Sequence, residues 1–364
     1  MKHGFDSRTG YKKVPINSGL FYFHLLAFLC IKWRNFVAML TYILFVIGLA
    51  LLIKGADWLV DGASALAKRF NISDLIIGLT IVSFGTSAPE LFVNVYASYV
   101  GNTDITIGNI LGSNIANILL ILGISSIIFP LAVQKNTTWK EIPFSLLAAI
   151  MVGIMAADFY LDKNPVSAIT RSEGIALLAF FFIFMYYIFE TSKREQAENA
   201  QNNSAESNEI NQPLFKSIFF IIIGLIGLSL GGKWIVDGAV SIATSLGVSQ
   251  SLIGLTIVAV GTSLPELATS AIAAYKKNAD IAVGNVVGSN IFNVFWILGV
   301  SSIMNNIPFQ QKNFIDVGMT VFASLLLFLF MFIGKKHMLQ RSQGILFLIM
   351  YVSYIVYLVI TEGA

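Results

Sequence analysis

Apolar residues in this chain come in long runs broken by brief polar stretches, with neither the strict alternation of strands nor a narrow amphipathic stripe. Ten such runs fall at about 38–66, 73–100, 106–129, 142–157, 173–190, 214–243, 249–276, 283–304, 314–334 and 343–361. The stretches 36–53, 105–133, 142–157, 174–189 and 317–334 contain no Asp, Glu, Lys or Arg. A bilayer core needs about 20 consecutive apolar helical residues. Each run therefore predicts a membrane-spanning helix; a closed barrel would instead show short alternating segments.

Composition sharpens that reading. Only 12% of residues are charged and 56% are hydrophobic, with a mean hydropathy of +0.77, whereas soluble domains carry about 25% charge. A soluble enzyme and a nucleic-acid binder are poor fits. One cysteine, Cys30, excludes an internal disulfide and a Cys-rich metal site. His3, His24 and His337 lie too far apart in sequence to suggest a histidine metal cluster.

Charge gives an orientation. The connections after runs 1, 3, 5, 7 and 9 hold twelve Lys or Arg residues, among them Lys68, Lys135, Lys193, Lys276 and Lys335, against Lys163, Arg171 and Lys312 on the opposite side. The positive-inside rule places the first set in the cytoplasm and both ends of the ten-span unit outside. Residues 1–38 are read as an N-terminal extension, dispensable or not native, because Met39 opens a sequence that looks like a natural start. Segment 191–213, rich in Asn, Gln, Ser and Glu, is read as a flexible cytoplasmic linker between 39–190 and 214–364.

Those two segments are copies of each other. ISDLIIGLTIVSFGTSAPEL at 72–91 matches VSQSLIGLTIVAVGTSLPEL at 248–267, and GNILGSNIANILLILGISSI at 108–127 matches GNVVGSNIFNVFWILGVSSI at 284–303. Trp58, Asp61 and Gly62 match Trp234, Asp237 and Gly238. Every pair is 176 residues apart, as Glu90 is from Glu266. Five spans per copy make the second enter the membrane from the other side. The predicted fold is thus an all-α polytopic membrane protein with about ten transmembrane helices in two inverted five-helix repeats, an architecture of secondary transporters.

Each copy centres a carboxylate in an apolar run, Glu90 in 73–101 and Glu266 in 249–277. A charge at the bilayer midplane costs several kcal/mol, roughly 2.5–3.5 for Asp on insertion scales, and defaults to a functional reading. Pro89 and Pro265 loosen the carbonyls of Gly85 and Gly261 four residues back. Thr86, Ser87 and Glu90 then share a helix face with those carbonyls, as Thr262, Ser263 and Glu266 do in the second copy. The next span adds Ser113 with Asn117 and Ser289 with Asn293, spaced i, i+4, beside Asn114 and Asn290. Gly108, Gly112, Gly284 and Gly288 permit close helix approach there. Oxygen-only donors suit hard cations such as Ca²⁺ and Na⁺ rather than Zn²⁺ or copper. Two ionised glutamates match one Ca²⁺, and an empty doubly negative site is costly to occlude, so such a carrier switches sides only when loaded.

At these motifs the chain resembles the cation/calcium exchanger superfamily, and most closely its prokaryotic sodium/calcium exchangers. GTSAPE with GNILGSNIAN, and GTSLPE with GNVVGSNIFN, are similar to the two α-repeats of that family, and the layout covers nearly all of 39–364. The resemblance implies a Ca²⁺ site shared by Glu90, Glu266, Thr86 and Thr262. It also implies Na⁺ sites using Ser87, Ser263, Ser113, Ser289, Asn117 and Asn293, with main-chain oxygens at Ser83 and Ala259. It further implies spans 1 and 6 sliding past a fixed core. Many sodium/calcium exchangers carry Asp at one of the positions held here by Asn117 and Asn293; both are Asn in this chain, as is usual in proton-coupled relatives.

The expected function is antiport of Ca²⁺ against Na⁺ across the cell membrane by a multi-pass, non-enzymatic carrier. Its partners are these ions and the lipid bilayer, with no cofactor and no nucleic acid. Proton-coupled cation exchange on the same fold is the first alternative. A passive cation channel fits the inverted repeat poorly, and an intramembrane enzyme lacks a base partnered to Ser87 or Ser263.

Overall fold

The computed structural model describes residues 16–101, 103–161, 163, 167–202, 213–248 and 259–362. Among these the chain is almost entirely helical. The helices are α1 (Ile16–Phe70), α2 (Asp74–Thr86), α3 (Ala88–Tyr99), α4 (Ile105–Ile128), α5 (Lys135–Met155), α6 (Arg171–Asn202), α7 (Leu214–Ser245), α8 (Leu264–Tyr275), α9 (Ala279–Met304), α10 (Asn313–Phe330) and α11 (Arg341–Glu362). Among the described residues eight helices are long and apolar enough to cross a membrane, and α2 with α3 forms a ninth, broken crossing. The run 249–276 lies partly outside the described residues; its second half is α8. The inverted repeat and the helix count agree with the sequence reading.

Burial separates two kinds of helix. α4 and α9 are the most enclosed spans, whereas α1 and α11 turn most of their apolar surface outward. That is the reverse of a soluble bundle, since lipid solvates Ile and Leu as well as a protein core does. Polar side chains therefore collect at the centre, around α2, α3, α4, α8 and α9.

α1 and α7 lie against each other along a glycine seam. A Cβ built on Gly55 would stand 2.8 Å from Leu228 N, and one on Gly224 would stand 2.8 Å from Gly55 O. Backbone meets backbone here, which only glycine permits. α1 ends on Asn71 (φ 52°) and α7 on Gly247 (φ 78°), repeat partners that stop the two helices in the same left-handed turn.

Two short antiparallel ribbons tie the repeats together. Leu131–Ala132 pairs with Met338–Leu339, and Ser167–Ile169 pairs with Ile307–Phe309. Each ribbon takes one strand from each half.

Two segments continue farther as helix than the apolar pattern indicates. α1 begins at Ile16, so residues 16–38 of the expected extension extend the first span, while 1–15 lie outside the described residues. α6 runs on to Asn202, into the expected linker, whose residues 203–212 lie outside the described residues. Contacts hold that polar end of α6: Ser73 N and Oγ donate to Glu195 at 2.8 and 3.2 Å, and Asn199 Nδ2 donates to Asn71 O at 2.9 Å.

The seam predicts a specific sensitivity. Gly224→Ala puts a methyl against backbone atoms that have no rotamer to move, and overpacking of this kind costs about 1–3 kcal/mol. Gly318→Ala is the control, because its Cβ meets nothing within 4 Å. Thermal unfolding in detergent should show a lower melting temperature for the first and none for the second.

Candidate ion-binding site

The site forms where two helices break. Between α2 and α3 the chain bends by 47° at Ser87, whose φ −82° and ψ 7° leave the helical region. Ser263, before α8, has nearly the same angles, φ −88° and ψ 8°. Pro89 and Pro265 lie in the first turns of α3 and α8 and lack the N–H that a continuous helix needs there. The prolines thus mark a full interruption and not only loosened carbonyls. It places Glu90 and Glu266 in the first turns of α3 and α8, where the positive end of the helix dipole favours an anion.

Both glutamates are buried, each 1% exposed, and each is held by the other repeat. Ser87 Oγ lies 2.9 Å from Glu266 Oε1 and 2.9 Å from Ser289 Oγ. Ser263 Oγ lies 3.5 Å from Glu90 Oε1 and 3.3 Å from Ser113 Oγ. Thr86 Oγ1 donates to Asn285 Oδ1 at 3.0 Å, and Thr262 Oγ1 donates to Asn109 Oδ1 at 3.2 Å. Each of these six contacts has its counterpart under the 176-residue offset.

Asparagines continue the interlock below the glutamates. Asn117 Nδ2 donates to Asn290 Oδ1 at 2.9 Å, and Asn293 Nδ2 donates to Asn114 Oδ1 at 3.0 Å. Asn290 Nδ2 faces Asn114 O, and Asn114 Nδ2 faces Asn290 O, both at 3.4 Å. A main-chain carbonyl only accepts, so these contacts fix which way each amide points. Asn117 and Asn293 consequently spend their N–H groups on neighbours and keep their oxygens. Both residues sit in wide π-helical turns, Ala116–Leu122 and Phe292–Leu298, a distortion common at functional sites.

Four buried oxygens of this set have no hydrogen-bond partner among the described residues: Glu90 Oε2, Glu266 Oε2, Asn117 Oδ1 and Asn293 Oδ1. All four are acceptors, and they form two repeat-related pairs. A buried acceptor without a donor is costly, and a cation removes the cost.

The other residues expected from sequence behave differently. Ser83 turns its hydroxyl back to Leu79 O at 2.8 Å, and its carbonyl accepts from Ser87 N at 3.0 Å. Ala259 lies in the short helical turn Ala259–Gly261, beside residues 249–258, which lie outside the described residues. Sequence reasoning missed Asn109 and Asn285, as well as Asn94, whose Nδ2 donates to Glu90 O at 2.7 Å, and Ser270, which accepts from Asn285 Nδ2 at 3.0 Å. Asn109 and Asn285 stand next to Gly108 and Gly284 and read as part of a packing motif; their repeated polarity was the available signal.

The two approaches to this core differ. On the α3 side a cavity of about 470 Å³ reaches Thr262 and Pro265, lined also by Phe92, Lys233 and Asp237. On the opposite side Lys276 Nζ bridges two α1 carboxylates, 2.6 Å from Asp57 Oδ1 and 2.7 Å from Asp61 Oδ1. It also donates to Asp57 O at 3.2 Å. The repeat partner of Lys276 is Val100, so the lysine that makes this bridge has no counterpart on the cavity side.

Known proteins resemble the chain along most of its length. The family model described as sodium/calcium exchanger protein matches residues 40–190 and 216–360. An uncharacterized membrane protein of Methanocaldococcus jannaschii is 39% identical over 308 residues, covering 85% of this chain and 94% of that protein. The sodium/calcium exchanger MaX1 of Methanosarcina acetivorans is 30% identical over 345 residues, covering 87% and 98%. A solved structure of the sodium-calcium exchanger NCX_Mj, soaked with 10 mM Na⁺ and zero Ca²⁺, superposes with a TM-score of 0.74 at 38% identity, covering 88% of this chain and 99% of that one.

The partnerless oxygens predict that a hard cation stabilises the fold. A ligand at a hundred times its Kd adds about 2.7 kcal/mol, so Ca²⁺ titration should raise the melting temperature of the purified protein. Glu90→Gln and Glu266→Gln should each remove most of that shift.

Proposed function

The chain belongs to the sodium/calcium exchanger family, and on that premise we propose that it is a secondary antiporter exchanging Ca²⁺ for Na⁺ across the membrane by alternating access. The observation that carries the reading is the repeat-paired set of buried acceptors: Glu90 Oε2, Glu266 Oε2, Asn117 Oδ1 and Asn293 Oδ1. Ca²⁺ takes six to eight oxygens. The two carboxylates, Thr86, Thr262 and the carbonyls freed at the helix breaks supply such a shell. Ser87, Ser263, Ser113, Ser289, Asn117 and Asn293 extend it for monovalent ions.

Charge sets the coupling. Glu90 and Glu266 neutralise one Ca²⁺, two Na⁺ or two protons, and a third Na⁺ leaves the site at +1. With Asn at both 117 and 293 no further carboxylate offsets that charge. This favours an exchange close to electroneutral.

The unequal approaches support the alternating part of the reading. With the sidedness given by the loop charges, the bridge from Lys276 to Asp57 and Asp61 closes the cytoplasmic side. The cavity at Thr262 lies toward the outside. α1 and α7, joined by their glycine seam, are the unit that slides; closing one approach then opens the other.

Two measurements test this. In proteoliposomes an imposed Na⁺ gradient should drive Ca²⁺ uptake, and a pH gradient of equal size should not; uptake driven by protons alone would make the exchanger proton-coupled. Lys276→Ala should accelerate hydrogen exchange in the 54–64 stretch of α1, and Lys276→Arg should restore the protection. An unchanged exchange rate in Lys276→Ala would remove the bridge from the mechanism.

A further inference from the structure

We infer that Lys233 is the outer latch: when the outside closes, its ammonium docks between Asp237 and the carbonyl end of α3, the part that Lys276 plays on the cytoplasmic side. This rests on the proposed alternation of the two approaches.

The closed approach shows what closure looks like. α1 lies against α8 and buries Val60 and Thr269. Lys276, just past the end of α8, reaches Asp57 Oδ1, Asp61 Oδ1 and the main-chain oxygen of Asp57, the last at 3.2 Å. The repeat partners of this interface line the open cavity. Gly232, Lys233, Val236 and Asp237 on α7 stand where Ala56, Asp57, Val60 and Asp61 stand on α1, and Val93 on α3 stands where Thr269 stands on α8. Val93 is 39% exposed, whereas Thr269 is fully buried. Because the halves are inverted copies, exchanging their arrangements closes one side as it opens the other. α7 then lies on α3 as α1 now lies on α8.

The charges do not exchange symmetrically. Val100 holds the place of Lys276, so α3 brings no lysine; the lysine is instead on the sliding helix, in the place of Asp57. Among the described residues the side chains of Lys233 and Asp237 make no ion pair or hydrogen bond, although both repeat partners are paired. A lysine at the mouth of a cation path repels the ion, a cost with no return while the mouth is open. Closure supplies the partners. The contact of Lys276 with Asp57 O shows that positions 276 and 57 meet in a closed approach, so the exchange brings the end of α3, at position 100, to Lys233. Val100 N and Gly101 N bond Tyr96 O and Ser98 O there, and the carbonyls of Tyr99 and Val100 lie beyond the last helical N–H. They form the negative end of the helix dipole, which favours a cation. Asp237, one turn along α7, supplies the carboxylate that Asp61 supplies to Lys276.

Cysteine labelling tests the latch. Wild-type Ca²⁺ flux in proteoliposomes comes first: without it the exchange reading fails by itself, whatever Lys233 does. Given flux, Val93→Cys in a Cys30→Ser background reports the outer state through a membrane-impermeant maleimide, which reaches only cavities facing the added reagent. Ca²⁺ on both sides sets the carrier cycling and should slow labelling, since part of the population is then closed to the reagent. Lys233→Met should weaken that slowing by a factor of about two to five, the worth of an ion pair that water still reaches. Lys233→Arg should keep it. Lys276→Ala loosens the opposite side and should deepen it. Lys233→Gln serves if Lys233→Met does not assemble, and Val236→Cys, whose repeat partner Val60 is buried, is the second reporter. Equal slowing with and without the charge at 233 overturns the latch. So do shifts of the same sign in Lys233→Met and Lys276→Ala, or no slowing by Ca²⁺ in either reporter.

Discussion

Two carboxylates enclosed in one low-dielectric core constrain everything around them. Among the described residues neither Glu90 nor Glu266 is paired with a Lys or Arg side chain; their contacts are hydroxyls, Ser263 for one and Ser87 for the other. A fixed cation would have solved the desolvation problem permanently and made the site useless to a moving ion. Hydroxyls and amides solve it only in part. On the proposed function the remaining charge belongs to the transported ion, which would tie occupancy to the ability of the core to close.

The surrounding architecture keeps that core stiff while its cover stays loose. Ribbons at 131–132 with 338–339 and at 167–169 with 307–309 stitch the repeats together outside the spans. The asparagine pairs Asn117–Asn290 and Asn293–Asn114 stitch them inside. α1 and α7 take no part in either set. Their seam is a glycine contact between each other, and α1 adds to it the half-buried bridge to Lys276 and the contacts of Ser64, which donates to Asp74 Oδ2 at 3.2 Å and accepts from Asn278 Nδ2 at 2.9 Å. A bridge that water still reaches breaks and reforms more readily than the buried amides.

Much of this was legible in the sequence because lipid and duplication leave coarse marks. Apolar runs located the spans, and a constant offset paired Glu90 with Glu266 and Asn117 with Asn293. Sequence did not reveal who partners whom across the interface. Ser87 reaches Glu266 rather than Glu90, its neighbour on the same helix face, because the break at Ser87 redirects the chain. Asn285 was hidden by Gly284, whose close helix contact needs no polar role, and Asn109 by Gly108 in the same motif, although a Cβ on Gly108 would meet nothing within 4 Å. Asp61 entered only as a mark of the repeat, Asp57 not at all, and Lys276 counted only as loop charge. Their meaning depends on α8 ending beside α1, a tertiary fact that no local pattern encodes. The polar end of α6 was read by composition, and composition does not register the Glu195 and Asn199 contacts that hold it as helix.

The reciprocity of the contacts bears on how such a site could arise. Thr86 needs Asn285, Ser263 needs Glu90, and each strand ribbon needs a strand from the other half. Almost nothing in the centre is completed within one copy. A chain of half this length with the same motifs would therefore have assembled the site only by meeting a twin inserted upside down, and would have had to enter the membrane in both orientations. Joining two such halves end to end guarantees the partner and frees each to diverge, as Ser270 has from Asn94.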